Sequence, residues 1–564
     1  MHTREVNFSG QQAFMKPARM STLLSAPIFV LGLLSFLRTA RAAQNTQLPA
    51  TQFRIAGSVV STTGGSLLAQ ARVSIVDVKN PKNVQSLLTA DDGRFEFHVT
   101  AGKFALRGAK RGYIGADYNQ HEQFSTAIVT GADVDTENLV LKLAPTAILT
   151  GKVLDENGDP VRHASVALWH DDHSAGVSRI VRFQNEGTDD QGSYEFTPLD
   201  SGTYFLSVSA RPWYAVHPPS LPQEGAPPTP VIVDRSVDVV YPTTYYAGAT
   251  ESEDATPIPI RGGDRVELDL RLTPVPALHV IFHTGQKDGT VYAPPALHKR
   301  VFDDVESQPD SEVQMTSTGV FEITTAPGKY TVHVSGPQVA QISEVDISQD
   351  HQELDNSSGE AMSNITASVH LLGGVSFPDQ LFLVLRDGRG RGVAFRRVSA
   401  QGEVEFSDVV PGTYELGAGS PGETYSVARI SSQGRETPGH TLKVTPGTSL
   451  SVEVSLASGS ARVEGFAKQA GKPAPGAMVV LVPKHPAVNH DLFRRDQSDL
   501  DGSFTLQSVI PGTYTVIAIT DGWDLDWSQS AVISHYAAHG QIIVVPARAD
   551  RSVKLPDPVE VQPK

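Results

Sequence analysis

Zinc-dependent peptide hydrolysis needs ligands that are easy to search for in this chain of 564 residues. Such a site requires a His-x-x-Glu pair, a distant histidine that completes the zinc ligands, and a glutamate as general base. The single His-x-x-Glu pair is His2 with Glu5, at the N-terminus. A Gly-x-Ser-x-Gly nucleophile elbow is also missing, since residues 418–422 read Ala-Gly-Ser-Pro-Gly, which is typical of a turn. The sequence therefore predicts that the protein is not an enzyme.

Two other groups of polar residues contain the side chains that bind metal ions. The run His170–His173 (His-Asp-Asp-His) follows a predicted strand, and a solvated polar loop is its favoured interpretation. The runs Asp499–Gly502 and Asp91–Gly93 resemble fragments of calcium loops, but both lack the bidentate glutamate of a complete loop. We therefore expect no metal ion and no other cofactor.

One short pattern recurs five times and indicates which elements must position any site. It begins with a turn glycine followed by apolar residues at the second and fourth positions, a period of two that is typical of a half-buried strand. About ten residues later a second glycine precedes a phenylalanine or tyrosine by two positions and a leucine or valine by four. The turn glycines are Gly93, Gly192, Gly319, Gly402 and Gly502, and the rings are Phe104, Tyr204, Tyr330, Tyr414 and Tyr514. Each copy predicts a β-hairpin with a positive φ at the first glycine and a buried ring.

The five hairpins predict an all-β protein: a tandem array of five immunoglobulin-like or transthyretin-like antiparallel β-sandwich domains after an N-terminal signal peptide. Each unit has about seven short strands, with turn residues every eight to twelve positions. No helix is expected outside the signal segment, and Ser348–Glu360 is predicted to be a linker. The predicted domains are 1–42 (signal peptide), 53–145, 146–274 (with a Pro- and Tyr-rich insertion), 275–360, 361–457 and 458–556.

Aromatic residues that belong to one unit alone are the candidate ligand-binding residues, because flat sugar rings stack on exposed aromatic faces. They are Trp169, Trp527, Tyr241, Tyr245 and Tyr246. Contacts between domains are the alternative role for these rings. In contrast, Tyr113, Trp213 and Trp523 each lie eleven residues after a second glycine of the pattern. A position that is repeated in three units favours packing over ligand recognition.

The N-terminal residues predict export. Lys16 and Arg19 precede an apolar run, Leu23–Leu37, and small residues follow up to Ala42, after which cleavage is expected. The run is short for a membrane span, although a retained membrane anchor is the alternative, and translation starts at Met1, Met15 or Met20. The chain has no cysteine and a net charge of −16, so we expect neither disulfides nor nucleic-acid binding. The predicted location is secreted, periplasmic or cell-surface.

The repeated pattern resembles the carboxypeptidase regulatory-like domain, a transthyretin-like sandwich that also occurs as repeats in exported bacterial proteins. The similarity is carried by Gly151-Lys152-Val153, Asp190-Gln191-Gly192-Ser193-Tyr194 and Ser201-Gly202-Thr203-Tyr204 in the second unit. The fifth unit carries it through Asp501-Gly502-Ser503-Phe504 and Pro511-Gly512-Thr513-Tyr514. The first unit resembles the domain equally well, and the third and fourth resemble it in part. The resemblance implies a carbohydrate-binding-like fold, which specifies architecture far more strongly than function.

These observations lead to one main hypothesis and two alternatives. The main hypothesis is a non-catalytic exported binding or structural protein, with polysaccharide or cell-envelope proteins as partners. The first alternative is an accessory or remnant of a metallocarboxypeptidase system. The second is a structural stalk or adhesin that contacts other proteins.

Overall fold

β-Strands form most of the chain in the computed structural model. The structure describes residues 52–131, 134–217, 234–284, 293–307, 311–335, 340–355, 359–372, 377–388, 390–422, 424–432, 434–437, 439–458, 461–546 and 552–564. The predicted signal segment with its three candidate start residues, and the Pro218-Pro219 and Pro227-Pro228 pairs, lie outside the described residues. The all-β prediction is confirmed by the strands and sheets described below.

The first two sandwiches each pack two sheets face to face. The first consists of β1 (Phe53–Ser61), β2 (Arg72–Asp77), β3 (Val84–Leu88), β4 (Arg94–Val99), β5 (Lys103–Ala109), β6 (Ala116–Asp117), β7 (Ile128–Val129) and β8 (Leu139–Leu143). The second consists of β9 (Ala147–Leu154), β10 (Ser165–Asp172), β11 (Arg179–Gly187), β12 (Ser193–Leu199), β13 (Gly202–Ser209), β14 (Val239–Val240), β15 (Thr244–Tyr245), β16 (Ile258–Ile260), β17 (Arg265–Glu267) and β18 (Leu270–Arg271). A short 3-10 helix, Ser252–Asp254, precedes β16.

The third and fourth sandwiches repeat this arrangement. After β19 (Val275–Pro276), which pairs with β14, the third contains β20 (Leu278–His283), β21 (Ala296–Val301), β22 (Asp304–Ser307), β23 (Glu312–Ser317), β24 (Val320–Thr325), β25 (Gly328–Val334), β26 (Gln341–Ile347), β27 (Glu353–Asp355) and β28 (Glu360–Ala361). The fourth contains β29 (Ser363–Leu371), β30 (Phe382–Arg386), β31 (Gly392–Arg397), β32 (Glu403–Val409), β33 (Gly412–Gly419), β34 (Tyr425–Ser432), β35 (Arg435–Glu436), β36 (Thr441–Val444) and β37 (Ser449–Ser458).

The fifth sandwich has two connections that contain short helical elements. Its strands are β38 (Ala461–Gln469), β39 (Lys472–Pro473), β40 (Met478–Pro483), β41 (Arg494–Gln497), β42 (Ser503–Val509), β43 (Gly512–Ile519), β44 (Gln541–Val545), β45 (Ser552–Lys554) and β46 (Val559–Gln562). Two 3-10 turns, Pro486–Val488 and His490–Leu492, lie between β40 and β41. A third 3-10 turn, Gly522–Asp524, and the α-helix α1 (Ser530–Ala537) lie between β43 and β44.

The turn glycines of the repeated pattern adopt the predicted backbone conformation. All five have a positive φ: 69° at Gly93, 70° at Gly192, 77° at Gly319, 83° at Gly402 and 80° at Gly502. L-residues adopt this left-handed region at a steric cost, whereas glycine does so freely. In four of the sandwiches the strand that follows the turn begins with alternating burial, as in β4, where Phe95 and Phe97 are buried and Glu96 is exposed. In the third sandwich residues 321–325 of β24 are all buried. The predicted turn is therefore confirmed in each unit, but the predicted β-hairpin is wrong.

The two strands of the pattern do not pair with each other: in the first sandwich β4 pairs with β1, whereas β5 pairs with β2. In the first four sandwiches the second glycine instead leads the chain from one sheet to the other.

The ring of the pattern is a buried residue with a second, unforeseen role. Phe104, Tyr204, Tyr330, Tyr414 and Tyr514 are all buried in the core of their own sandwich. The four tyrosines also donate their hydroxyl proton to the carbonyl four residues upstream, over 3.1, 2.8, 2.7 and 2.9 Å in chain order. This bond fixes the corner that leads into the second strand, in the manner of the tyrosine corner of other sandwiches.

The sheets are antiparallel apart from the parallel pairs that the opening strand of each sandwich makes with a strand near the end of that sandwich, and the parallel pair of β43 with β46. In the first sandwich β1 pairs antiparallel with β4 and parallel with β8, so that Val59 lies opposite Leu141. The same pairing joins β9 with β17, β20 with β27, β29 with β37, and β38 with β45. The opening strand is thus central to its sheet, which explains why its inward residues are almost all buried.

Two further local predictions were wrong. The segment Ser348–Glu360, predicted as a linker, contributes β27, whose three residues pair with β20. Helix α1 was not expected, because its eight residues carry a weak helical period. It forms because Ile533 and Tyr536 pack on the outer face of β40 and β43, which is apolar in this sandwich. The predicted domain boundaries stay a prediction, and no helix of the described residues is long and apolar enough to cross a bilayer.

Candidate functional site

Two of the candidate aromatic residues lie between the second and third sandwiches. Strand alternation does turn Trp169 away from its own core, but its ring packs against Phe302 of the third sandwich, with centroids 5.4 Å apart. The indole N–H donates to Ser207 Oγ over 2.9 Å. Tyr245 meets the same Phe302 edge to face, with centroids 5.7 Å apart. Both rings are fully buried, so neither offers a face to a sugar.

The other three candidates are also enclosed. Tyr241 lies in the core of the second sandwich and donates its hydroxyl proton to Glu156 Oε2 over 2.7 Å, while the neighbouring Tyr246 is half-buried against the same core. Trp527 packs with Phe493 and α1 on the outer face of the fifth sandwich. The structure does not gather the five rings into one site. Their burial argues against the sugar-stacking prediction and agrees with the alternative role in packing and inter-domain contacts.

The repeated aromatic position contradicts the packing prediction in one unit. Trp213 is 87% exposed, and the one aromatic ring that the described residues place beside it is Tyr214, at 5.8 Å between centroids. Its equivalent Trp523 is stacked on His121 of the first sandwich, at 4.8 Å and nearly parallel. Tyr113 is half-buried against the first core. Trp213 is therefore an exposed aromatic ring that the sequence did not predict to be exposed. The adjacent proline-rich segment was the one signal that set it apart.

The fifth sandwich binds the first through buried polar residues. Arg495 pairs with Glu122 through two hydrogen bonds of 3.1 and 2.6 Å, and its guanidinium lies 4.2 Å from the centroid of the Trp527 ring. Gln497 donates to the carbonyl of Asn119 over 2.6 Å and to Thr126 Oγ1 over 2.8 Å. These contacts join residues more than 370 positions apart in the chain.

A carboxylate of the fifth sandwich adds to this junction with the first. Asp499 accepts a hydrogen bond from the backbone N–H of Ala127 over 2.9 Å and forms an ion pair with Lys103. Burial raises the pKa of Asp499, although Lys103 opposes this effect. Burial also raises the pKa of Asp496 to about 6. Asp499 thus bridges two sandwiches, and Asp501 caps its own turn by accepting the Ser503 N–H over 2.9 Å.

The fifth sandwich also contacts the second, at the loop that follows the His170–His173 run. Ser528 donates its backbone N–H to the Gly176 carbonyl over 3.1 Å, and Asp526 accepts the Ser178 N–H over 2.8 Å. Within the run, His170 packs on Phe183, and burial lowers its pKa. Its first three residues belong to strand β10, so the predicted loop begins later than expected.

A buried histidine joins the second and third sandwiches. The ring of His279 contacts Glu322 through Nδ1 at 2.8 Å and Asp238 through Nε2 at 2.9 Å. His217 contacts the other oxygen of Asp238 at 3.0 Å. The hydrogen bond with Glu322 and the charge of Asp238 outweigh the effect of burial and raise the pKa of His279 to about 9. His279 is therefore a cation near neutral pH.

Four titratable residues meet where the fourth and fifth sandwiches touch. Glu415 lies on β33 and His440 directly before β36, while His490 and Asp491 belong to the 3-10 turn between β40 and β41. His440 Nδ1 lies 2.5 Å from Asp491 Oδ1, and His490 Nδ1 lies 2.7 Å from Glu415 Oε2. The hydrogen bond with Glu415 raises the pKa of His490 against the effect of burial. Burial alone would raise the pKa of Glu415, but His490 holds it below its usual value.

Comparisons with known proteins give no family. No protein-family model and no curated protein matches the chain. Among solved structures, the Bacillus anthracis TIE protein is 11% identical over 72% of this chain and 74% of its own, with a TM-score of 0.17. A streptococcal ancillary pilin is 13% identical over 54% of this chain and 98% of its own, with a TM-score of 0.20. The shaft pilin SpaA from Lactobacillus rhamnosus GG is 12% identical over 40% and 98%, with a TM-score of 0.18. TM-scores this low carry no argument about the present chain.

Proposed function

We propose that the chain is a non-catalytic structural and binding protein, exported to the cell envelope, whose five sandwiches act as one preformed body. The observation that carries this proposal is the position of the fifth sandwich, which contacts the first, second and fourth through Arg495, Ser528 and Asp491 respectively. A row of independent sandwiches needs no contact between its first and last members. The polar and aromatic residues that could do chemistry are instead used to hold the sandwiches together.

This proposal assigns the protein to the carboxypeptidase regulatory-like type of sandwich. The support is the repeated pattern of turn and strand, with its positive-φ glycine in all five units and its corner tyrosine in four. The type is common in exported proteins, which agrees with the predicted signal segment. Fractionation of cells that produce the full chain, with and without residues 1–42, tests the export. Retention of the long form in the cytoplasm would contradict it.

Polysaccharide is the ligand class that we propose for the exposed ring of Trp213. Its side chain is 87% exposed, beside Tyr214, and a flat apolar surface of this kind is suited to stacking on a sugar ring. The test is a polysaccharide pull-down with the purified full chain, Trp213→Ala, and Phe395→Ala as the control. Phe395 is also exposed, but it lies on the fourth sandwich.

The outcomes of the pull-down separate the hypotheses. Binding that is lost in Trp213→Ala and kept in Phe395→Ala supports a sugar site on the second sandwich. An absence of binding to any polysaccharide favours a scaffold or adhesin that contacts proteins. The peptidase alternative has its own test, because peptide hydrolysis by the purified chain that a chelator abolishes would overturn the non-catalytic proposal.

A further inference from the structure

The junction of the fourth and fifth sandwiches holds the one group of metal-ligating side chains that the described residues bring together. The group consists of Glu415, His440 and Asp491, whose ligand atoms all lie within 4.8 Å of one another. Their side chains are 5%, 5% and 7% exposed, so the group is enclosed by protein. Surface clusters of acidic residues are common and carry little meaning, but a buried cluster that contains imidazole is not of that kind.

One oxygen of the group lacks a partner. Asp491 Oδ1 lies 2.5 Å from His440 Nδ1, but Asp491 Oδ2 is buried and has no hydrogen-bond donor among the described residues. A buried carboxylate oxygen without a donor is destabilising, because the oxygen loses its hydrogen bonds to water and receives no hydrogen bond from the protein. A cation beside Oδ2 would remove that cost.

Simple ion pairing is the competing explanation for the group. The cluster around His279, described above, is an example of ion pairing without a free ligand atom. There both ring nitrogens of His279 contact carboxylates, at 2.8 and 2.9 Å, so the ring has no lone pair left for a metal ion. His440 differs, because its ring contacts a carboxylate through Nδ1 alone among the hydrogen bonds found. The two clusters therefore make different predictions for metal binding.

We propose that Glu415, His440 and Asp491 bind a divalent cation of the zinc class, with His490 as the fourth ligand. Imidazole nitrogens and carboxylate oxygens are the donors that Zn²⁺ accepts in the absence of thiolates, and four protein ligands make a closed, structural site. His490 contacts Glu415 and is 36% exposed, which places it at the opening toward solvent.

The proposed ion would brace two sandwiches against each other. The fourth sandwich supplies Glu415 and His440, and the fifth supplies His490 and Asp491, so the complete ligand set exists only while the sandwiches touch. The backbone N–H of Asp491 also donates to Glu415 Oε1 over 3.0 Å, which keeps the two halves in register. An ion that binds only the assembled junction stabilises it by mass action.

The experiment uses the purified full chain, stripped with a chelator and dialysed against Zn²⁺. Bound metal is measured by mass spectrometry of the digested protein, and Co²⁺ replaces Zn²⁺ as a spectroscopic probe in a parallel titration. We expect one tightly held Zn²⁺ per chain, a rise in Tm on its addition, and visible Co²⁺ absorption bands of low-symmetry coordination. His440→Gln with Asp491→Asn should lose all three, whereas His279→Gln should keep them.

Four results would overturn the proposal. The first is a wild-type chain that retains no Zn²⁺ beyond the buffer level. The second is a folded His440→Gln, Asp491→Asn variant that retains as much Zn²⁺ as wild type. The third applies even where that variant does not fold: Co²⁺ that binds the wild-type chain with the spectrum of the hydrated ion would show that no protein ligand set surrounds it. Metal loss in His279→Gln alone would place the ion at the other cluster and also refute the assignment.

Discussion

Replacement of Arg495 by alanine should release the first sandwich from the fifth. Its side chain is 4% exposed, forms two hydrogen bonds with Glu122, and lies over the ring of Trp527. Loss of one partner of a buried ion pair costs about 3–5 kcal/mol. Glu122 is partly exposed and can be rehydrated, so we expect about 3 kcal/mol, to which the lost cation–π contact adds about 0.5–2 kcal/mol.

Energy transfer between dyes on the first and fifth sandwiches is the assay, with chemical denaturation beside it. Arg495→Ala should increase the distance between the dyes in the absence of denaturant and lower the free energy of unfolding. The control is Arg54→Ala. Arg54 also pairs with two glutamates, Glu96 and Glu137, but it is 46% exposed and stays within one sandwich, so its loss should cost far less than the loss of Arg495.

The reasoning is refuted if Arg495→Ala leaves both the dye distance and the unfolding curve as they are in wild type. That result would mean that the first and fifth sandwiches do not depend on this contact. A double-mutant cycle with Glu122→Gln distinguishes the direct interaction from a general disturbance. The coupling energy should account for most of the loss if the ion pair is what joins the two sandwiches.

Two further predictions concern the corner tyrosine and pH. Tyr514→Phe should destabilise the fifth sandwich by about 1 kcal/mol, because the Ile510 carbonyl loses its hydrogen-bond donor. In contrast, Phe104→Tyr should not destabilise the first sandwich. Chemical denaturation measures the stability of both variants. The pKa of His279 is about 9 in the folded chain and near 6.5 in the unfolded chain. Because the folded state binds this proton more tightly, His279 adds up to about 3 kcal/mol to the free energy of unfolding. This stabilisation is complete below pH 6.5 and is lost as the pH rises to 9. Denaturation curves across that range should show the loss in wild type and not in His279→Gln.

The turns of the repeated pattern were predictable from sequence because they depend on local chemistry, whereas the pairing of the strands was not, since β42 pairs with β38 and not with β43. A positive φ at Gly502 and alternating burial after it follow from the residues of that turn and strand alone. The corner bond of Tyr514 was not predicted, although the ring was, because the acceptor is a backbone carbonyl that no residue type reveals. Helix α1 was missed for a related reason. Its eight residues fold against an apolar outer face of β40 and β43, so their helical state depends on tertiary packing.

The surroundings of the candidate aromatic residues depend on contacts between sandwiches, which the sequence does not reveal. The alternation of β10 correctly predicts that Trp169 points away from its own core. It cannot reveal that Phe302 of another sandwich covers the outward face. The exposure of Trp213 and Trp523 was unpredictable for the same reason. The two rings occupy equivalent positions, but the first sandwich covers Trp523 with His121, whereas Trp213 is exposed.

Two connecting segments of the fifth sandwich explain how sandwiches that follow one another in sequence come into contact. The turn that contains His490 and Asp491 reaches the fourth sandwich, and the segment that contains Trp527 and Ser528 reaches the second. Both segments lie outside the strands that the sandwiches share, so the repeated strands alone would not have produced these contacts. A structural stalk, one of the alternatives drawn from the sequence, needs sandwiches that meet only their neighbours along the chain. Contacts between the fifth sandwich and the first and second therefore favour a closed scaffold over a stalk, and they place the search for partners on surfaces that this closure leaves free, such as that around Trp213.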